Sequence, residues 1–164
     1  ELRRIIRSET TTVVQPFLDF TIDKRETPPV FMWSADITGD GYPDLIFNFQ
    51  KPENSLVVSV SGSNGVFLQP KFQSKISVSV SARDQLKLFD VNNDGRMDLV
   101  VNNNLTKELQ IHWGAGNGQF PNVNRLISAE GIGGFTISDL NLDGVQELIV
   151  TDSFNGWLKV ISLK

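Results

Sequence analysis

The chain of 164 residues lacks cysteine and carries a single histidine. Without cysteine it can form neither disulfides nor thiolate zinc sites, and it has no cysteine nucleophile. Neither a Gly-x-Ser-x-Gly turn nor an HExxH signature occurs, and His112 lies beside Trp113 in a run typical of a strand, where it would be packed or exposed on a blade. We therefore predict no catalytic residue and interpret the chain as a non-enzyme.

Long apolar runs and basic clusters are also scarce. No run reaches the roughly 18 apolar residues that a membrane-spanning helix needs, so we expect no membrane span. The net charge is −4, and the closest basic group is Arg3, Arg4 and Arg7. Because a nucleic-acid partner requires a cationic face, we expect none.

Acidic residues are concentrated in three similar windows. We call them loop 1 (36–44), loop 2 (90–98) and loop 3 (139–147), and their starts lie about 50 residues apart. Each combines three carboxylates with one Asp-Gly pair, and each is followed at once by an apolar run. Such spacing indicates an internal repeat.

The residues between the loops are typical of strands. Short runs rich in Val, Ile, Leu and Phe alternate with Asn, Gly and Asp turns, and no segment keeps a helical period for roughly ten residues. Asn-Gly pairs at 64–65, 117–118 and 155–156 predict hairpin turns in which both central residues have positive φ. Each unit has about four strands in roughly 50 residues, the size of a propeller blade. The predicted fold class is all-β.

The loops carry oxygen-bearing side chains at positions 1, 3, 5 and 9, with glycine at position 6. A backbone carbonyl at position 7 completes a set suited to Ca²⁺, which takes about six to eight oxygen ligands. Gly41, Gly95 and Gly144 allow the sharp turn over the ion. The expected ligands are Asp36, Thr38, Asp40, the Tyr42 carbonyl and Asp44 in loop 1; Asp90, Asn92, Asp94, the Arg96 carbonyl and Asp98 in loop 2; and Asp139, Asn141, Asp143, the Val145 carbonyl and Glu147 in loop 3.

The loops have two other interpretations, an EF-hand and a hydrogen-bonded turn without metal. An EF-hand needs a glutamate at position 12, where this chain has Phe47, Val101 and Val150. Turn chemistry alone would use Asx side chains to bond nearby backbone. Three carboxylates in one loop repel each other unless a cation lies between them, which favours metal binding. We expect up to three Ca²⁺ ions, which would change the net charge from −4 to +2.

The loops, the apolar strands after them and the later Gly-x-Gly-x-Phe turn at 116–120 resemble the FG-GAP/VCBS repeat family, the propeller blades of integrin α-subunits and many secreted proteins. The resemblance covers about residues 17–164. It implies β-propeller blades of four-stranded antiparallel sheets, with the calcium loops between the first and second strands of each blade. Thr38 and Glu147 depart from the family pattern at two ligand positions.

The resemblance also suggests a division of the chain. Residues 1–28 are the expected tail of a preceding blade, 29–79 and 80–128 are blades with loops 1 and 2, and 129–164 is an incomplete blade with loop 3. Family propellers close with about seven blades, and this chain supplies about three. We therefore expect further blades or another chain to complete the propeller.

The function implied by the resemblance is protein interaction or adhesion, with structural Ca²⁺ and a protein or glycan ligand on the propeller rim. The expected location is extracellular, either secreted or in the ectodomain of a cell-surface protein. Two alternatives stay open: a noncatalytic propeller portion of a secreted carbohydrate-active enzyme, and a lectin-like propeller. For the latter, Trp33, Trp113 and Trp157 would stack on sugars, although packing between blades is the commoner role. Asn104 begins a candidate N-glycosylation tripeptide.

Overall fold

The structure is a computed structural model that describes residues 2–7, 12–18, 31–49, 55–59, 72–76, 78, 85–103, 105–128 and 131–163. These residues form strands and turns without an α-helix, which confirms the predicted all-β class. No helix in this part of the chain has the length and apolar character to cross a membrane. The strands are β1 (Leu2–Arg7), β2 (Thr12–Leu18), β3 (Phe31–Ala35), β4 (Asp44–Phe49), β5 (Ser55–Ser59), β6 (Phe72–Ile76), β7 (Leu86–Phe89), β8 (Asp98–Asn103), β9 (Glu108–Trp113), β10 (Asn122–Ser128), β11 (Ile132–Ser138), β12 (Glu147–Asp152) and β13 (Trp157–Ser162).

The strands form antiparallel sheets in which chain neighbours are also spatial neighbours. The first sheet has the order β3-β4-β5-β6, the second β7-β8-β9-β10, and the third β11-β12-β13, while β1 pairs with β2 in a separate hairpin. The predicted four-stranded blades are therefore confirmed in the first and second sheets, and within the described residues the third sheet contains three strands. That β1 and β2 belong to a preceding blade stays a prediction.

Strand β8 shows how the sheets stack. All six of its residues are buried, which requires a neighbour on each face. Successive side chains of a strand point to opposite faces. Leu99 and Val101 accordingly enter a core shared with the first sheet, and Val100 enters a core shared with the third. The second sheet is thus packed between the other two.

Two apolar cores hold the three sheets together. Burial of a large apolar side chain stabilises a fold by about 1.5–3 kcal/mol, so the contacts between sheets contribute much of the stability. The core between the first and second sheets contains Ile37, Ile46, Ile76, Val78, Leu86, Leu99, Val101 and Phe120. The core between the second and third sheets contains Val91, Val100, Leu109, Ile111, Phe135, Ile137, Leu148 and Val150.

The three tryptophans lie against these cores. Trp33 packs against the first core, and Trp113 and Trp157 pack against the second. Their predicted role in packing between blades is therefore confirmed. Lys159 also places its Nζ 4.4 Å from the centre of the Trp157 ring.

The Asn-Gly turns differ from the sequence-based expectation. Gly118 and Gly156 have positive φ, but Asn117 and Asn155 before them do not. The turn at 153–156 has four residues, because Asp152 pairs with Trp157 and Gly156 N–H donates to the Asp152 carbonyl at 2.9 Å. The wider turn needs only one left-handed residue, so the prediction of two was wrong here. The pair at 64–65 lies outside the described residues.

Candidate metal-binding loops

Each acidic loop joins the first and second strands of its sheet, as predicted. Loop 1 joins β3 to β4, loop 2 joins β7 to β8, and loop 3 joins β11 to β12. Position 9 is the first residue of the second strand in every loop, and it pairs across the sheet with Ala35, Phe89 or Ser138. The loops therefore lie at the same end of their sheets.

The carboxylate at position 1 accepts hydrogen bonds from backbone N–H groups later in its own loop. Its Oδ2 accepts a hydrogen bond from the N–H of the glycine at position 6, at 2.8 Å in loops 1 and 2 and 2.9 Å in loop 3. Its Oδ1 accepts another from the N–H at position 5, at 3.2, 3.0 and 3.2 Å. The same arrangement thus occurs three times. The position 1 residues are Asp36, Asp90 and Asp139.

The carboxylate at position 5 accepts the N–H of position 7, at 2.9 Å in loops 1 and 2 and 2.8 Å in loop 3. The position 5 residues are Asp40, Asp94 and Asp143, and the position 7 residues are Tyr42, Arg96 and Val145.

The side chain at position 3 makes a different hydrogen bond in loop 1 from that in loops 2 and 3. The amides of Asn92 and Asn141 donate to the second oxygen of the position 5 carboxylate, at 2.9 and 3.0 Å. Thr38 instead directs its hydroxyl to Asp44 at 3.4 Å. Threonine in place of asparagine at position 3 therefore changes the hydrogen bonding within loop 1.

The carboxylate at position 9 is buried, as expected for a residue that closes the loop. Asp44 and Asp98 are fully buried, and Glu147 retains 7% exposure. Each accepts a hydrogen bond from the backbone N–H at position 2, at 2.8, 3.0 and 2.9 Å. These bonds tie the start of the loop to the second strand.

Gly114 adds a second anchor for loop 2. Its N–H donates to Asp98 Oδ1 at 2.8 Å. A Cβ at this position would lie 2.1 Å from the Met97 carbonyl oxygen, so the close approach requires glycine. Nothing in the spacing of the loops pointed to this residue.

Backbone conformation confirms the predicted sharp turn at position 6. Gly41, Gly95 and Gly144 have φ values of 84°, 81° and 85°, a region that glycine adopts without steric cost. Position 4 is also left-handed, and sequence reasoning missed it because glycine, asparagine and leucine share no simple signal. Its residues are Gly39, Asn93 and Leu142, with φ values of 74°, 57° and 60°.

Charge within loop 2 affects its carboxylates in opposite ways. Hydrogen bonding from the Asn92 amide lowers the pKa of Asp94, and the N–H and guanidinium of Arg96 lower it further. Burial raises the pKa of Asp98, and the negative charges of Asp94 and Asp90 add to that effect. The N–H groups of Gly114 and Val91 oppose the rise. The loop therefore holds acidic groups that repel one another, which a cation would relieve.

The chemistry of the donor set fits a hard cation. The loops offer carboxylate, amide, hydroxyl and carbonyl oxygen, the ligands that Ca²⁺ prefers, and each carboxylate has about four lone-pair sites, of which the hydrogen bonds occupy only some. Among the described residues, however, no three acidic or histidine side chains are grouped closely enough to hold a metal ion. The ligand roles assigned above stay predictions.

His112 lies on strand β9, as the sequence predicts, and of the two open alternatives it is packed rather than exposed. It retains 7% exposure, and its Nε2 lies 3.3 Å from Gln110 Oε1. Burial lowers the pKa of His112 to about 4, so the ring is neutral at physiological pH. Asn104, the candidate glycosylation site, lies outside the described residues.

Asp152 is a buried polar residue that motif reasoning missed. Its carboxylate accepts the N–H groups of Phe154 and Asn155 at 2.9 and 2.8 Å, and the Asn155 amide at 2.9 Å. These bonds, with the Asn155 side chain first, lower the pKa of Asp152. The residue stabilises the turn between β12 and β13.

Comparisons with known proteins agree with the repeat. The FG-GAP-like repeat matches the chain twice, over residues 36–101 and 90–150. No curated protein matches, and no solved structure does. The two matches together extend over more than half of the chain and include all three loops and the apolar residues directly after each of them. The chain therefore belongs to the FG-GAP-like repeat family.

Proposed function

We propose that the chain is a calcium-stabilised part of an extracellular β-propeller whose rim mediates protein interaction or adhesion. One observation carries the calcium proposal: three carboxylates, at positions 1, 5 and 9, recur at the same place in three sheets, and like charges in one loop repel each other unless a cation lies between them. The ion would link the turn to the second strand. The interaction role and the extracellular location rest on the resemblance to the family.

The proposed ions are structural. An ion that binds only the folded chain stabilises it by mass action, by about 1.4 kcal/mol per site at 1 mM Ca²⁺ for a Kd of about 0.1 mM. Affinities of about 10⁻⁴ to 10⁻³ M are usual for extracellular modules. Calcium removal should therefore lower the melting temperature without changing the fold. No catalytic role is proposed.

A lectin-like role receives less support. The three tryptophans lie against the cores between the sheets, which leaves less of each ring for stacking on sugars. The adhesion module remains the proposal.

Calorimetric titration tests the calcium proposal. Wild-type protein should bind three Ca²⁺ ions, and Asp94→Ala should bind two, because the variant loses a position 5 carboxylate. Glu108→Gln, a carboxylate on β9 outside the loops, is the matched control and should keep three. Absence of heat at millimolar Ca²⁺, or equal stoichiometry in wild type and Asp94→Ala, would contradict the proposal.

The propeller is proposed to be completed by further blades. Leu158 and Val160 of β13 are 62% and 52% exposed, and Leu140 of loop 3 is 56% exposed. An apolar face of this kind normally packs against a partner. A monodisperse monomer of 18.3 kDa in light scattering would contradict completion by another chain.

A further inference from the structure

Arg96 is held by two parts of the second sheet. Its Nη2 lies 2.5 Å from Asp94 Oδ2 in loop 2, and its Nε donates to the Gly114 carbonyl at 3.1 Å. Its aliphatic part lies against Gly116, where a Cβ would be 2.8 Å from Arg96 Cδ. The guanidinium is thus fixed over a carboxylate that is also a candidate calcium ligand.

Loops 1 and 3 lack this group. Position 7 holds Tyr42 in loop 1 and Val145 in loop 3, and neither loop contains a basic residue. The rest of loop 3 closely repeats loop 2, since Asn141 donates to Asp143 as Asn92 does to Asp94. The cation on the position 5 carboxylate is therefore the one difference in formal charge between loops 2 and 3, which otherwise differ in uncharged residues and in Glu147 in place of aspartate at position 9.

We propose that Arg96 is a built-in counter-cation that makes loop 2 less dependent on calcium and weaker in calcium affinity. The proposal rests on the proposed function of the loops. Without metal, the guanidinium offsets the repulsion among Asp90, Asp94 and Asp98. Asp94 Oδ2 accepts hydrogen bonds from both Asn92 and Arg96, so a Ca²⁺ ion at this oxygen has to displace one of the two donors, and the positive charge of Arg96 remains nearby.

The guanidinium should have opposite effects on two quantities, the stability of the metal-free protein and the calcium affinity of loop 2. Opposite charges attract and like charges repel, with strength set by distance and by exposure to water. Removal of the guanidinium should therefore destabilise the metal-free protein and strengthen calcium binding at the same loop. The backbone carbonyl of residue 96 is a candidate ligand that substitution of the side chain leaves in place.

The test uses a chain in which only loop 2 can bind. Asp40→Ala and Asp143→Ala disable loops 1 and 3 at exposed positions. In that background, Arg96→Val, which copies Val145 of loop 3, should raise calcium affinity about tenfold, equivalent to 1.4 kcal/mol. In EDTA the same substitution should lower the melting temperature, and high salt should reduce the difference because salt screens exposed charges.

Two further variants separate charge from packing. Arg96→Gln keeps a donor that can reach the Gly114 carbonyl and removes the charge, so it should behave as Arg96→Val. Arg96→Lys keeps the charge and should stay close to the parent in calcium affinity. Equal calcium affinity in the parent and both neutral variants would overturn the proposal.

The two proposals fail in different ways. If the parent binds no calcium while the neutral variants melt at lower temperature in EDTA, loop 2 is not a calcium site, but the stabilising role of Arg96 stands. If calcium binds and the neutral variants match the parent in EDTA, the calcium proposal stands and the counter-cation is overturned.

Discussion

The second and third sheets carry the same apolar pattern and bury it to different extents. Val91, Leu109 and Ile111 of the second repeat are at most 2% exposed, because they face the third sheet. The equivalent residues of the third repeat are Leu140, Leu158 and Val160, and each is more than half exposed. The apolar pattern of the repeat therefore predicts which face of a sheet can pack. Whether that face is buried depends on the presence of a neighbouring sheet.

A matched pair of truncations should show the largest effect. Leu109→Ala removes a fully buried side chain, and such changes cost about 2–5 kcal/mol in unfolding free energy. Leu158→Ala removes a side chain that is 62% exposed, so we expect a change within about 0.5 kcal/mol. Urea denaturation of both variants measures the difference. Equal losses would mean that the face of the third sheet is covered in solution.

The pH dependence of stability should be the next largest difference between the sheets. His112 has a folded pKa of about 4 against an ordinary value of 6.5. The unfolded chain therefore binds a proton first as the pH falls, and stability is lost between about 6.5 and 4. From pH 7 to pH 5 we expect a loss of about 2 kcal/mol, since one pKa unit corresponds to about 1.36 kcal/mol.

The third repeat supplies the control for this experiment. Ile161 occupies the position equivalent to His112 and cannot titrate. His112→Ile should reduce the loss of stability from pH 7 to pH 5, and the pH dependence that remains would come from groups such as Asp98, whose pKa burial raises. An NMR titration of the single histidine should give a midpoint near 4. A midpoint near 6.5 would show that burial does not affect the ring.

Substitutions at position 4 of the loops should give smaller effects of opposite sign. Leu142 is 87% exposed and has a φ of 60°, a left-handed conformation that costs roughly 1–2 kcal/mol for most residues. Leu142→Asn, which copies loop 2, should raise the unfolding free energy by about 1 kcal/mol, because asparagine tolerates this conformation.

The reciprocal change at position 4 should destabilise the chain. Asn93→Leu adds the same strain to loop 2 and removes a bond between loops, since the Asn93 amide donates to the Gly144 carbonyl at 2.6 Å. We expect a loss of about 1.5 kcal/mol, the sum of about 1 kcal/mol of strain and about 0.5 kcal/mol for one exposed hydrogen bond. Thermal unfolding in EDTA measures both variants without a contribution from metal. Changes of the same sign would contradict the strain argument.

Much of the fold was predictable because the repeat supplies three versions of each signal. The strands after the loops, the left-handed glycines at position 6 and the start of the second strand at position 9 all followed from local pattern. The turn at 117–118 was not predicted correctly, since an Asn-Gly pair fits turns of more than one length. Gly114 and the left-handed Leu142 were missed because their roles depend on contacts and geometry rather than on residue type.

The sequence by itself determined the all-β class, the three acidic loops and the faces available for packing, because backbone preferences and side-chain alternation are local properties. Only the tertiary structure decided which equivalent faces are covered, that Arg96 lies on Asp94 and Gly114, and that Asn93 reaches loop 3. Those contacts join residues up to 51 positions apart, as in the bond from Asn93 to Gly144. The pattern of residues within one repeat does not specify which sheet packs against it, because the contacts between sheets join residues that are far apart in the chain.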